Sequence, residues 1–225
     1  LNFYLKLSNM AIKRRDIILE VSLVLFNEEG EANLSAVDIA NELDISPGNL
    51  YYHFKGKEEI VAALYERFEA GILVLLEDAR DAGDTLERHW LHLYVLLEHI
   101  YGHRFFFRNI TDLLQKYSGI DTRFRRLIEQ QYQSINKMLR QLLGEGALSG
   151  DSLVASTVDE LSDNMMLIYT HWFEFQNLRK RKLEQHEFIQ GAIMQIMTLL
   201  APYMGDKQRQ FLSECNILYQ RDKQA

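Results

Sequence analysis

The sequence predicts an all-α protein. Two prolines, Pro47 and Pro202, occur in 225 residues, where ordinary usage of about 5% would supply about eleven. Apolar residues recur at helical spacing along nearly the whole chain, with no alternating strand pattern and no repeat of about 20–50 residues. A composition of 47% hydrophobic and 25% charged residues belongs to a chain that folds around a core. It excludes collagen-like and disordered classes.

The elements follow in order. Ile17, Ile18, Val21, Leu25 and Phe26 form a first apolar stripe, ended by the turn signal Asn27-Glu28-Glu29-Gly30. A short helix over about 36–43 turns Val37, Ile39, Ala40 and Leu43 inward, with Ser35 as N-cap and Asp38 three residues on, close to a capping box. A second short helix begins after Ser46 with Pro47 at its first position and stops near Lys55-Gly56. Longer helices are expected over about 57–80, 84–101, 104–117, 120–143, 151–175 and 188–200, with a last one over 207–219. Gly144, Gly146 and Gly150 mark a turn, which a helix C-cap explains without a phosphate loop. A head of three short helices (10–56) therefore precedes a bundle of longer ones (57–225), and the helix from Lys57 joins them.

Several function classes are excluded or disfavoured. The longest apolar runs, such as 60–65, 72–76 and 165–169, are five or six residues, far short of the roughly 20 a membrane span needs. The opening residues, LNFYLKLSNM, do not read as a signal peptide, and Met10 is a possible translation start. With a single cysteine, Cys215, this points to a cytoplasmic protein. No catalytic signature is present, so an enzyme is not expected. The net charge of −7 speaks against nucleic acid, and residues 11–60 set Lys13, Arg14, Arg15, Lys55 and Lys57 against ten acidic residues. A DNA-binding role must rest on geometry and a few placed cations.

The geometry is in residues 35–59, SAVDIANELDISPGNLYYHFKGKEE. Two short helices joined by Asp44-Ile45-Ser46 make a helix-turn-helix, whose second helix enters the major groove with its N-terminal residues facing base edges. Ser35 and Ser46 cap the pair. Pro47 and Gly48 keep the second helix slim at its start, and Asn49 both donates and accepts hydrogen bonds. Leu50 and Phe54 anchor the helix inward, which turns Tyr51, Tyr52 and His53 toward phosphates. Tyr52 has the alternative of packing on the first helix. Lys57, at the positive end of the next helix, is placed for a phosphate.

The pattern SxxxIAxxLxISPGNLYYHFKxKEEI over 35–60 resembles the TetR/AcrR family of bacterial transcription regulators. One departure is Asp44, where the family's turn commonly has Gly. The resemblance implies a homodimer on a double-stranded DNA operator, paired through helices near 151–175 and 187–201, and a repressor released by a small molecule. No cofactor is implied.

Three further constellations bear on the effector. Trp90, Tyr94, Phe106 and Phe107, with Tyr169 and Trp172 added, are either core or the wall of a largely apolar ligand cavity, flanked by Arg104 and Arg108. His89, His92, His99 and His103 fall within about 80° on one helical wheel, which is either an ordinary polar face or the ligand set of a metal-responsive regulator. The basic run 179–182 reads as a solvated loop. A helical ligand-binding or scaffold protein that never reads DNA is the remaining alternative.

Overall fold

The computed structural model describes residues 13–81, 86–148, 155–180 and 183–205, with residues 210 and 213. Ten α-helices run through the described residues: α1 (Arg14–Glu29), α2 (Ala36–Glu42), α3 (Pro47–His53), α4 (Lys57–Asp81), α5 (Leu86–Gly102), α6 (Phe105–Arg108), α7 (Ile110–Lys116), α8 (Ser118–Gly144), α9 (Ala155–Leu178) and α10 (Gln185–Leu200). No strand forms among them; one antiparallel bridge joins Leu148 to Met204. The expected translation start at Met10, residues 151–154 of the helix expected over 151–175, and nearly all of that expected over 207–219 lie outside the described residues.

Local chemistry accounts for the short helices. Both halves of a capping box start α2: Ser35 Oγ accepts the Asp38 N–H at 3.3 Å, and Asp38 Oδ2 accepts the Ser35 N–H at 2.7 Å. The helix ends in a Schellman motif, with the Ile45 N–H on the Ala40 carbonyl and the Asp44 N–H on the Asn41 carbonyl, both at 3.0 Å. Asp44 takes the left-handed position that glycine usually fills, at φ 50°, a conformation Asp tolerates better than most residues. Ser46 Oγ then accepts the Asn49 N–H at 3.2 Å and Pro47 opens α3.

The helix expected over 104–117 is two helices. Asn109, at φ −152° and ψ 72°, leaves the helical region between α6 and α7. Its side-chain amide donates to Asp112 Oδ2. Asn competes with the helix in this way because its short amide bonds locally.

The chain forms two compact units. Of the described residues, those within 1–69 and 103–121 make up the first, and those within 70–102 and 122–225 the second. The first unit is built around Ile18, Phe26, Ile39, Leu50, Phe54, Leu64, Tyr65, Phe68 and Phe106, each no more than 1% exposed. Its later segment is stitched to α1 by polar groups. Asn27 Oδ1 accepts the Phe105 N–H at 3.0 Å, and Arg108 Nη2 donates to the Asn27 carbonyl at 3.0 Å. Arg108 thereby satisfies a carbonyl left open at the end of α1.

A buried ionic cluster closes the same unit. Glu31 Oε1 meets Lys57 Nζ at 2.8 Å and Lys116 Nζ at 2.8 Å, and it accepts a short hydrogen bond from the Tyr117 hydroxyl. Burial pushes the Glu31 carboxyl up, but Lys116, Lys57 and Tyr117 together hold it below the usual carboxylate range.

In the second unit α10 packs against α5 and α9. Asn136 Nδ2 donates to Asp159 Oδ1 at 2.8 Å and to Ser162 Oγ at 3.1 Å, fixing α8 against α9. Gly71 lets α4 approach α5 closely: a Cβ there would lie 2.3 Å from His99 Cε1.

Candidate functional site

Buried anchors orient α3. Leu50 and Phe54 are fully buried, so the rest of the helix faces outward. Ser46, Pro47, Gly48 and Asn49 are exposed in succession at its start. Gly48 has positive space around it: an added Cβ would meet only Ser46 Oγ, at 3.9 Å. Nothing in the fold itself calls for a glycine there. Tyr51 is 46% exposed and Tyr52 85% exposed, so Tyr52 does not pack on α1. The Tyr52 ring meets the half-buried His53 edge-on, with centroids 5.1 Å apart. Ser35, at the start of α2, is exposed and bonded to Asp38.

Lys57 departs from expectation. Its ammonium donates to the Glu31 carbonyl at 2.9 Å and the Leu34 carbonyl at 2.7 Å, and its third bond goes to the Glu31 carboxylate. An ammonium has three donors, so Lys57 has none left for a phosphate. Lys55, at the end of α3, is exposed, as are Lys13, Arg14 and Arg15. Sequence reading had not singled these four out as contacts; their place outside every apolar stripe was the available signal. Arg15 lies over the Phe54 ring at 4.5 Å.

The six residues expected around a ligand are dispersed. Phe106 and Phe107 are buried in the first unit, where Phe106 lies 5.8 Å from the Tyr65 ring and 5.6 Å from that of Phe68. They are core. Arg108, one of the two arginines flanking that cluster in sequence, is occupied at the end of α1. Trp90 and Tyr94 stack on each other along α5, centroids 5.8 Å apart. Trp172 Nε1 donates to the Phe188 carbonyl at 3.1 Å, tying α9 to α10.

Tyr169 lines a cavity within the second unit, and Trp172 lines a separate, more open groove of that unit with Leu167 and Phe175. The Tyr169 cavity leaves about 60 Å³ for the centre of a water-sized sphere. Leu76, Leu93, Leu96 and Ile135 give it apolar walls, and His89, His92 and Gln131 give it polar groups. The cavity-facing stripe of α5 is thus His89, His92, Leu93 and Leu96, spaced three, four and seven apart. Trp90 and Tyr94 fall on the neighbouring stripe, because one residue turns the helix by about 100°. Tyr169 is buried and its hydroxyl has no hydrogen-bond partner among the described residues. Burial, with His89 nearby, pushes the His92 imidazole below its ordinary pKa, although Asp78 pulls the other way. Burial thus favours the neutral form of the His92 ring.

The histidines at 89–103 do not act as one set. His89 and His92 line the cavity, His99 lies against Gly71, and the His103 ring meets Phe68 at 5.5 Å in the other unit. Among the described residues no three His, Cys, Asp or Glu side chains converge in a metal-holding group. No described helix is long and apolar enough to cross a membrane.

Comparison with known proteins agrees with this architecture. The family model described as "Bacterial regulatory proteins, tetR family" matches residues 18–64, and that described as "Bacterial transcriptional repressor" matches residues 67–212. A solved TetR-family transcriptional regulator from Marinobacter aquaeolei VT8 is similar with a TM-score of 0.82 and 30% identity, over 92% of this chain and 99% of that one. The probable HTH-type transcriptional regulator YttP of Bacillus subtilis is 28% identical over 60% of this chain and 65% of its own length. The nucleoid occlusion factor SlmA of Vibrio atlanticus is 28% identical over 60% of this chain and 69% of its own. The first two of these relatives are named as transcriptional regulators. With both family models matched in chain order, and the second covering well over half the residues, the chain belongs to the TetR family of bacterial DNA-binding transcriptional regulators.

Proposed function

We propose that the protein is a homodimeric, sequence-specific repressor of the cytoplasm that a small molecule releases from its operator. The observation that carries this is the presentation of α3. Leu50 and Phe54 hold the helix by one side, and the exposed run Pro47, Gly48 and Asn49 is left free to approach base edges. Residues 10–56 carry the DNA contact and residues 57–225 the dimer and the effector. Asn49 reads a base, the Pro47-Gly48 backbone allows close approach, and Ser35, Ser46, Tyr51, Tyr52 and His53 face the phosphate backbone. Lys55 supplies the cation there in place of Lys57. Asn49→Ala is expected to relax preference at one base position, with a loss of about 1–3 kcal/mol of discrimination. Selection from random duplexes, or a gel shift on the gene's own upstream region, measures it. An equal loss on every sequence removes Asn49 as a base reader.

The dimer is supported by exposed apolar residues on α9. Leu167 is 58% exposed, Phe175 47% and Leu178 73%. Leu167 and Phe175 lie in the 151–175 pairing segment the family resemblance implies and Leu178 just beyond it, and a two-fold contact sets such a patch against its own copy. Leu167→Asp is expected to give a folded monomer with unchanged helicity whose operator affinity falls at least tenfold. Sedimentation and the same gel shift test it, and a dimer that binds normally refutes it.

Release follows as a population shift. The effector must bind one arrangement of the two heads better than the other, or it moves nothing. In the competent arrangement the recognition helices stand about 34–36 Å apart. α4 is the covalent path, since its residues belong to both compact units.

A further inference from the structure

The cavity of the second unit has a chemistry that narrows its occupant. Leu76, Leu93, Leu96 and Ile135 give it an aliphatic wall, beside the neutral polar side chains of Gln131 and Ser134. Its one fully buried polar atom without a partner is the Tyr169 hydroxyl. A buried hydroxyl is ordinarily hydrogen-bonded, because leaving it unpaired forfeits its solvation with no return. The phenol both donates and accepts, so it is complementary to a ligand hydroxyl or carbonyl oxygen. The His92 ring is a second polar group of the wall that bonds a hydroxyl or carbonyl oxygen.

The same surroundings disfavour an anion. No arginine lines the cavity, and Lys137, the lysine that touches it, is an exposed residue whose ammonium keeps its water. A carboxylate at the Tyr169 end would be buried without a counter-charge. Size narrows the occupant again. A space of about 60 Å³ for sphere centres is a few waters' worth, each water needing about 10–15 Å³ on that measure. It suits a single ring.

We propose that this cavity takes a compact, uncharged, single-ring molecule carrying one hydroxyl or carbonyl oxygen, which meets the Tyr169 hydroxyl. This rests on the reading of the protein as effector-responsive, and names the effector's class. His89 and His92 serve here as polar wall, which gives two of the four spaced histidines a use other than metal binding.

Phenol, toluene and benzoate are the probes, titrated at pH 7 by calorimetry and thermal shift into the full-length protein and its Tyr169→Phe variant. Phenol is expected to bind and raise the melting temperature of the wild type. Tyr169→Phe is expected to weaken phenol by about three- to tenfold and to leave toluene equal or tighter. Without ligand its melting temperature is expected to stay or rise, since the removed hydroxyl has no partner to lose. A purely structural role for that hydroxyl predicts a fall. Met138→Trp, which fills the cavity from α8, is expected to exclude phenol and toluene alike, and provides a second handle if Tyr169→Phe does not fold. No phenol binding, benzoate binding tighter than phenol, or phenol binding untouched by Tyr169→Phe each overturns the proposal. A gel shift with added phenol separates the two readings. Bound phenol with no release of DNA keeps the cavity assignment and refutes the effector role. Release only by compounds indifferent to Tyr169→Phe keeps the effector role and refutes the assignment.

Discussion

Glu31→Ala should cost the protein about 3 kcal/mol of unfolding free energy, within the range for a buried ion pair broken from one side. Glu31 is 8% exposed and the Lys57 side chain 14% exposed. Without the carboxylate, Lys57 keeps two carbonyl partners but loses its counter-charge, and the Tyr117 hydroxyl is left without its acceptor. Lys116 contributes less, since its side chain is 44% exposed and can return to water. Denaturant unfolding of the full chain measures the loss. Adding Lys57→Met to Glu31→Ala should recover part of it, because the orphaned charge goes too. If the double substitution is no better than the single one, the cost lies elsewhere than in the unpaired lysine.

The same cluster gives the acid limb of stability a sign. The folded-state pKa of Glu31 is depressed, so its contribution is complete above the unfolded value of about 4.3. It disappears as the pH falls through the lower folded value, when the proton breaks the bonds to both lysines. The Glu31→Ala protein should show a shallower loss of stability on acidification over that window. Parallel curves for wild type and variant would remove Glu31 from the acid transition.

Phe106→Ala should destabilise by about 3–5 kcal/mol, the cost of deleting a large core ring and leaving a void. Phe106 is fully buried and touches the rings of Tyr65, Phe68 and Phe105 within 6 Å. Phe106→Leu should cost less, because it keeps most of the apolar volume. The loss should be the same with and without phenol at saturation, since Phe106 lies in the first compact unit and the Tyr169 cavity in the second. Were Phe106 a ligand wall, truncation would leave the unliganded protein nearly as stable and change phenol affinity instead.

What the sequence determined by itself is what short-range physics controls. Ser35 with Asp38 starts α2 and Ser46 with Pro47 starts α3, because a cap bonds an amide three residues away and that geometry is written in the spacing. Asp44 turns the chain between them with bonds that reach no further than five residues. Leu50 and Phe54, four apart, fall on one side of a helix whatever that side packs against, so the exposed face of α3 was readable too.

The remainder was decided by residues distant in sequence. Lys57 looked free for a phosphate because its partner Glu31 lies 26 residues earlier, where no local pattern announces it. Lys116 reaches the same carboxylate from 85 residues away. The amphipathic pattern of α5 showed a helix, but which stripe borders empty space depends on α4, α8 and α9. Hence the two histidines and two leucines line the cavity while Trp90 and Tyr94 stack beside it. Phe106 and Phe107 have the composition of a ligand wall, and Asn27 and Arg108 draw their segment onto α1 instead. A side chain's chemistry is local, but its partner is chosen by packing, and packing is a property of the assembled helices.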